Sequence, residues 1–381
     1  MGSIEMKCCI ECFRDSEIRS IIRTANQQGS CDFCSQTHTY VYDLEKDTAL
    51  TVLFDEFLEI FTPLTALPPS YPHQEAGFLS SLLFERWAIF TGDSDRIQRL
   101  LTSICREKYQ IMPTLFEERV GVSGFGDDEY LNEHAILKTY GWLQFVQEIK
   151  EHNRFHTNYM NKPVLQSFLA CVNKEYQSKS IFFRSRLCST PKGHPRKRMG
   201  APPIEKASAG RVNPEGIRML YLSDSEMTTL YEVRAGMYDY VTVGTFVLQQ
   251  PLSIINLAEI DSISPFLANT QFGIDFMAHA VNIPVLRMLA QSIARPLRSQ
   301  DSTLEYLPTQ YISDYIKSLG YDGIEYVSTM SRKGRNIAIF REDRLACTST
   351  KVLDIQSISY LYQRVKRTLH QGELKRSMDT T

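Results

Sequence analysis

Two groups of residues in this 381-residue chain have types and spacings that could do chemistry. The first is Cys9-Ile10-Glu11-Cys12 and Cys31-Asp32-Phe33-Cys34, two C-x-x-C pairs with 18 residues between them. Each pair can turn two thiolates toward one tetrahedral ion, and together they supply four sulfur ligands. With every position filled by protein, zinc held by Cys9, Cys12, Cys31 and Cys34 would be structural rather than catalytic. Cys8 could stand in for Cys9, and His38 is a weaker substitute. The bland alternative is a set of unrelated buried cysteines. Such a small module has little core of its own, so zinc binding of ~10–16 kcal/mol would dominate its folding, and chelation is expected to unfold residues 1–45.

The second group is an arginine, a glutamate and a serine, in that order, in separate segments. Arg184 follows Phe182-Phe183, Glu232 lies in Leu230-Tyr231-Glu232-Val233, and Ser328 ends Ile324-Glu325-Tyr326-Val327-Ser328. Taken singly, each has an ordinary structural role: a structural ion pair, a helix-surface carboxylate, a turn serine. Together they could do more. A carboxylate can face a developing cation, an arginine fork can grip phosphate, and a hydroxyl can hydrogen-bond phosphate or a carboxamide.

The elements that must position these groups are legible in outline. The segment between the cysteine pairs reads as a helix, with Asp15 or Ser16 as cap, Ile18, Ile21 and Ile22 apolar, and Gly29 as the stop. Residues 46–180 read as helical, with Leu53, Phe54, Phe57, Leu58 and Phe61 at helical spacing, then Leu82, Leu83, Trp87 and Phe90, then Leu137, Trp142, Leu143 and Val146. Near residue 181 the texture changes to short β-prone runs at 181–183, 219–222, 240–247, 254–257, 324–327 and 337–340. Helical stretches at Glu226 to Val233 and Tyr311 to Leu319 intervene, which makes the fold α+β. A polar tail with an amphipathic helix near Ile355 to Leu369 is expected. The boundaries are therefore 1–45, 46–180, 181–345 and 346–381.

Composition limits the function classes. Hydrophobic residues at 43% and charged residues at 23% are the balance of a globular protein. A formal net charge of −2 gives no global field toward nucleic acid or membrane. The longest apolar run, Ala49 to Phe61, is interrupted by three carboxylates, and the amino terminus lacks the apolar core of a signal peptide. A cytoplasmic location is expected, where nine cysteines point to metal or free thiols rather than disulfides.

The phrases of the second half resemble the RES domain, named for its arginine, glutamate and serine. They are Gly210-Arg211-x-Asn213-Pro214-x-Gly216-Ile217, then Leu220-Tyr221-Leu222-Ser223 leading to Glu232, Tyr306-x-Pro308-Thr309-Gln310, Gly320-x-Asp322-Gly323-Ile324 and Gly334-x-Asn336. The resemblance spans about residues 181–340. It implies an ADP-ribosyltransferase-like split β-sheet around an NAD cleft, and the NAD-consuming toxins of Xre–RES toxin–antitoxin pairs. Reported family activities are phosphorolysis to ADP-ribose phosphate and nicotinamide, NAD hydrolysis, and ADP-ribosylation of a protein. It implies Arg184, Tyr221, Glu232 and Ser328 as catalytic residues. Arg184, Arg186, Arg211, Asn213 and Ser328 would bind NAD or phosphate, with inorganic phosphate a co-substrate. Arg184 and Arg186 compete for the motif arginine, and Arg184 is favoured because it follows the strand directly. Arg211 and Asn213 could instead shape their loop.

The amino-terminal half more weakly resembles the HEPN/RES region fused to larger RES proteins. The R-x(4–6)-H motif of HEPN ribonucleases is missing from residues 46–180, and Arg364-x5-His370 fits it only in the tail. A regulator, sensor or oligomerisation platform is expected there instead, with an antitoxin or regulatory protein as partner and a homo-oligomer as the assembled form. The basic stretch from Lys192 to Lys206 reads as a solvated loop or as a lid that attracts phosphate. Two rival functions stand beside NAD destruction by phosphorolysis or hydrolysis. One is a protein ADP-ribosyltransferase, the other an inactive, zinc-dependent interaction module.

Overall fold

The computed structural model describes residues 6–295, 301–331 and 334–359. It is a mixed α+β structure built on three sheets. Near the amino terminus, β1 (Lys7–Cys9), β2 (Gln27–Gly29) and β3 (Thr39–Asp43) form an antiparallel sheet in the order β1-β3-β2. The expected helix between the cysteine pairs is Ser16–Thr24, where the Asp15 carboxylate accepts from the amides of Glu17 and Ile18. It ends before Gly29, because Gln27–Gly29 pairs with β3 instead.

Residues 46–180 are largely helical but also contain a small sheet. Its strands are β4 (Phe61–Pro63), β5 (Gly77–Phe78) and β6 (Arg119–Val122), in the order β4-β6-β5. These strands are too short to leave an alternating pattern.

The large sheet has eight strands. They are β7 (Asn173–Tyr176), β8 (Ile181–Cys188), β9 (Leu220–Ser223), β10 (Tyr240–Leu248), β11 (Leu252–Asn256), β12 (Gly323–Val327), β13 (Arg335–Ile339) and β14 (Leu345–Asp354). Their order is β14-β10-β8-β9-β13-β12-β11-β7. Only β11 and β12 run parallel. Between β8 and β9 the sheet holds by a single register pair, Phe183 with Ser223, so the strands part and a cleft opens at the seam.

Three apolar cores disregard the expected boundaries. The first joins Cys9, Phe13, Ile18 and Val41 to Phe54, Phe57 and Phe90, and reaches Phe266, Phe276 and Ile283 of two later helices. The second joins Phe145, Leu165 and Phe168 to Leu257, Ile312, Ile316 and Ile324. The third fills one face of the large sheet with Phe182, Leu222, Phe246 and Ile337. The break at 45 therefore cuts the first core and the break at 180 cuts the second. The division at 345 also moves. Residues 345–354 are β14, paired along the whole length of β10, so the segment expected to open a helical tail is an edge strand. Residues 355–359, where the amphipathic helix was expected to begin, are irregular, and the rest of that tail, with Arg364 and His370, lies outside the described residues.

Candidate active site and cysteine centre

The four cysteines converge. Their Sγ atoms all lie within 4.8 Å of one another, with Cys9–Cys34 at 3.4 Å, Cys12–Cys31 at 3.6 Å and Cys9–Cys12 at 3.9 Å. Tetrahedral zinc with sulfur ligands at ~2.3 Å places sulfurs about 3.8 Å apart, so this donor set fits the ion. The backbone amides of Phe33 and Cys34 point at the Cys31 sulfur, the usual support for a metal-bound thiolate. Hydrogen bonds from Cys12 and Cys9 pull Cys31 well below the usual thiol range, while those same contacts and burial push Cys12 up. Cys8 is buried beside the cluster but is not one of its four members, and His38 is also outside it. The Cys12 carbonyl accepts from Thr91, and Arg14 donates to Ile89. The centre is thereby stitched to the helical half.

The second constellation surrounds the seam of the large sheet. A cleft of about 350 Å³ is lined by Arg184 from β8, Tyr221 and Ser223 from β9, Glu232 from the helix Glu226–Glu232, Tyr326 from β12 and Asn336 from β13. Ser225 caps that helix by accepting from Thr228, which sets where its last residue, Glu232, emerges. Both a strand end and a helix end thus deliver their side chains to the place where β8 and β9 separate.

Glu232 is held firmly. Its Oε1 accepts from Ser328 Oγ and from Asn336 Nδ2, each at 2.6 Å. Asn336 is itself fixed by the Ser223 hydroxyl, which donates to its Oδ1 at 2.7 Å. The other carboxylate oxygen faces Arg211 Nη2 at 4.0 Å. Arg211 in turn donates to the Ala294 carbonyl and lies over the Tyr326 ring. One oxygen is therefore committed to neutral donors, and the other looks at a guanidinium across a gap.

Arg184 is the opposite case. It is half-buried, Nη1 has no hydrogen-bond partner among the described residues, and burial, with Arg186 nearby, depresses its pKa to about 10. A shielded cation with no ion pair among the described residues costs stability unless an anion completes it, and the more distant Glu342 offsets only part of that cost.

The other candidates separate by position. Arg186 donates to the Arg198 carbonyl and does not line the cleft, whereas Arg184 does. Tyr221 lines the cleft with its hydroxyl already spent on Asn213 Oδ1 at 2.5 Å. Asn213 is buried, and its amide donates to the carbonyls of Ser208, Pro214 and Ile217. It shapes the loop instead of touching a ligand. Gly210 is required there, because a Cβ would come within 2.5 Å of the Tyr221 hydroxyl. Ser328 is 1% exposed and lies behind Glu232, so it positions the carboxylate and is not placed to meet phosphate or a carboxamide. The basic stretch is no lid: Met199 is buried, Arg196 donates to Thr348, and no residue of 189–206 lines the cleft.

Sequence reasoning gave Asn336 no role at the site, although it had marked the Gly334-x-Asn336 phrase. Tyr306, Tyr326 and Ser223 were inside recognised phrases as well, but nothing in their types signalled a lining role.

A mixed α+β domain with a carboxylate fixed beside a cleft, and a cation left open to it, is the class that fold and site define. Residues 186–360, a little under half of the chain, match the family model of the RES domain. The match takes in β14 and begins two residues after Arg184, so the assignment of that arginine rests on the cleft. No curated protein matches the chain. A solved structure titled crystal structure of the M. tuberculosis MbcT–MbcA toxin–antitoxin complex aligns at 16% identity over 50% of this chain and 91% of that one, with a TM-score of 0.31. A likeness at that score carries no argument about this chain.

Proposed function

We propose that this protein cleaves the nicotinamide–ribose bond of NAD within an ADP-ribosyltransferase-like cleft. The observation that carries the reading is the pairing of a fixed carboxylate, Glu232, with a half-buried Arg184, unpaired among the described residues, across one cleft. In the reaction, the bond between ribose C1′ and the pyridinium nitrogen breaks. Its electron pair stays with nicotinamide, which leaves neutral, and the ribose becomes an oxocarbenium-like cation. The Glu232 carboxylate attracts that cation by ~4 kcal/mol at 4 Å in an effective dielectric of 20. Expressed only in the transition state, this is about three decades in rate. Arg184 and Arg211 take the pyrophosphate, and the rings of Tyr221, Tyr306 and Tyr326 flank the planar parts of the substrate.

Phosphate, water or a protein side chain then bonds to C1′. Phosphorolysis to ADP-ribose phosphate is the first choice among the activities the resemblance implies, and it requires that one of Arg184 and Arg211 meet the phosphate acceptor while the other holds the pyrophosphate. Hydrolysis and protein ADP-ribosylation are the other outcomes. In this reading the protein acts as a toxin or defence effector with an antitoxin or regulatory partner, as the resemblance to the RES domain implies. The four cysteines hold zinc as a structural ion. The amino-terminal half, HEPN-like, controls the enzyme or its assembly into a homo-oligomer.

The test is incubation with NAD, with and without phosphate, followed by product identification. ADP-ribose phosphate formed only with phosphate supports phosphorolysis, ADP-ribose in either condition supports hydrolysis, and a labelled protein supports transfer. NAD left intact with no labelled protein would reject the reading and favour the inactive interaction module.

A further inference from the structure

A second cavity, of about 360 Å³, lies on the far side of the loop that carries Arg211. One wall is the helix Leu307–Ser318, which presents Leu307, Tyr311 and Tyr315; Phe155 and Lys162 of the helical half form the other. Pro214 and Gln310 close the floor. Gln310 also donates to the carbonyls of Gly210 and Asn213, so whatever fills the cavity rests against the back of the loop whose front faces Glu232.

Three observations say what chemistry would fill it. The walls are aromatic, which suits a flat ring. The Lys162 ammonium sits 5.8 Å and 5.7 Å from the Tyr311 and Tyr315 ring centres and has no carboxylate partner among the described residues. Arg154, also lining the cavity, offers a second guanidinium whose described hydrogen bond is a long one to the Ile149 carbonyl. Finally, the Tyr311 hydroxyl is shielded from water and has no hydrogen-bond partner among the described residues, a state that buried hydroxyls rarely keep. Asp314 is the one carboxylate in the lining, so two cations outnumber it.

We propose that this cavity binds a planar aromatic anion, a ring system bearing a carboxylate or a phosphate, with the ring between Phe155 and the tyrosines and the charge on Lys162 and Arg154. The site is separate from the NAD cleft and does not depend on that assignment.

Isothermal titration calorimetry on the full chain tests it, with 2-naphthoate and AMP as probes and neutral 2-naphthamide as control. Binding of at least one anion at one site per chain is expected, with the amide weaker by about tenfold. Lys162→Ala should weaken the anion by about tenfold and Tyr311→Phe, which keeps the ring, by severalfold. Arg184→Ala should leave binding unchanged, which separates this site from the cleft. Binding of naphthoate alone identifies a carboxylate ligand and binding of AMP alone a phosphate ligand. The proposal is overturned if neither anion binds, if the amide binds equally, if Lys162→Ala and Tyr311→Phe change nothing, or if Arg184→Ala removes binding.

Discussion

Two glutamates on the large sheet and its flank make an instructive pair. Glu325, on β12, is fully buried, and its carboxylate is matched on every side. Lys174 reaches it at 3.0 Å, Arg335 at 3.3 Å, and the Tyr176 hydroxyl donates at 2.7 Å. Glu232 is partly open, held on one oxygen by neutral donors, and shares its cleft with an arginine that has an unsatisfied nitrogen. In the first cluster the carboxylate is matched by its own neighbours. The second is incomplete, and what it lacks is an anion and a cation placed between its own charges. A polar cluster of this chain is thus read by what it leaves unsatisfied, not by how many charges it holds.

That contrast can be broken by exchange at each glutamate. Glu232→Gln should lower NAD consumption by about a thousandfold with thermal stability nearly unchanged, because an amide keeps the shape and one oxygen. A variant that stays active would remove Glu232 from the chemistry. Glu325→Gln should do the reverse. Destabilisation of about 2–4 kcal/mol in denaturant unfolding is expected, since Lys174 and Arg335 lose their common partner, with activity per folded molecule retained. If this variant were stable but inactive, the two roles would have to be exchanged.

Arg184→Met sharpens the distinction further. Burial holds the guanidinium pKa near 10, below its ordinary 12.5, so folding disfavours the charged form. The cost is present at all pH values below about 10 and is relieved as pH rises through it. The variant should therefore be more stable than the parent by about 1–3 kcal/mol at neutral pH, with the gap narrowing above pH 10 and NAD binding lost. A less stable Arg184→Met at pH 7 would mean that the arginine is satisfied. The smallest effect is expected at Ser328→Ala. Removing one of two hydrogen bonds to Glu232 should lower kcat by about tenfold with KM little changed. A rise in KM alone would instead place Ser328 against the substrate.

Much of this was legible in the chain. The C-x-x-C spacing pointed to the four cysteines that do converge, and the alternation of short β runs gave six of the eight strands of the large sheet. Two were not legible for physical reasons. Asn173–Tyr176 is a polar edge strand, and Leu345–Asp354 mixes threonine, serine and lysine because one side of it lacks a partner. The helix Phe276–Ala294 left no amphipathic stripe because its sides meet two different cores, with Phe276, Ala280 and Ile283 in one and Ala278, Leu286 and Leu289 in the other. At the site, the resemblance singled out Arg184, Glu232 and Ser328, but not that Ser328 faces the carboxylate from behind or that Asn213 is locked into its own loop. Those are facts of hydrogen-bond direction, which spacing does not encode.

The cores that run through the expected boundaries carry a consequence for how this protein could arise or be divided. A fragment starting at residue 181 would lose β7, the hydrogen-bonded neighbour of β11. It would also strip Phe145, Leu165 and Phe168 from the core beneath the sheet. Its bare strand edge and exposed apolar floor would invite aggregation. The cleft-bearing half is therefore not a cassette that recombination could transplant alone, and its surroundings had to be inherited along with it.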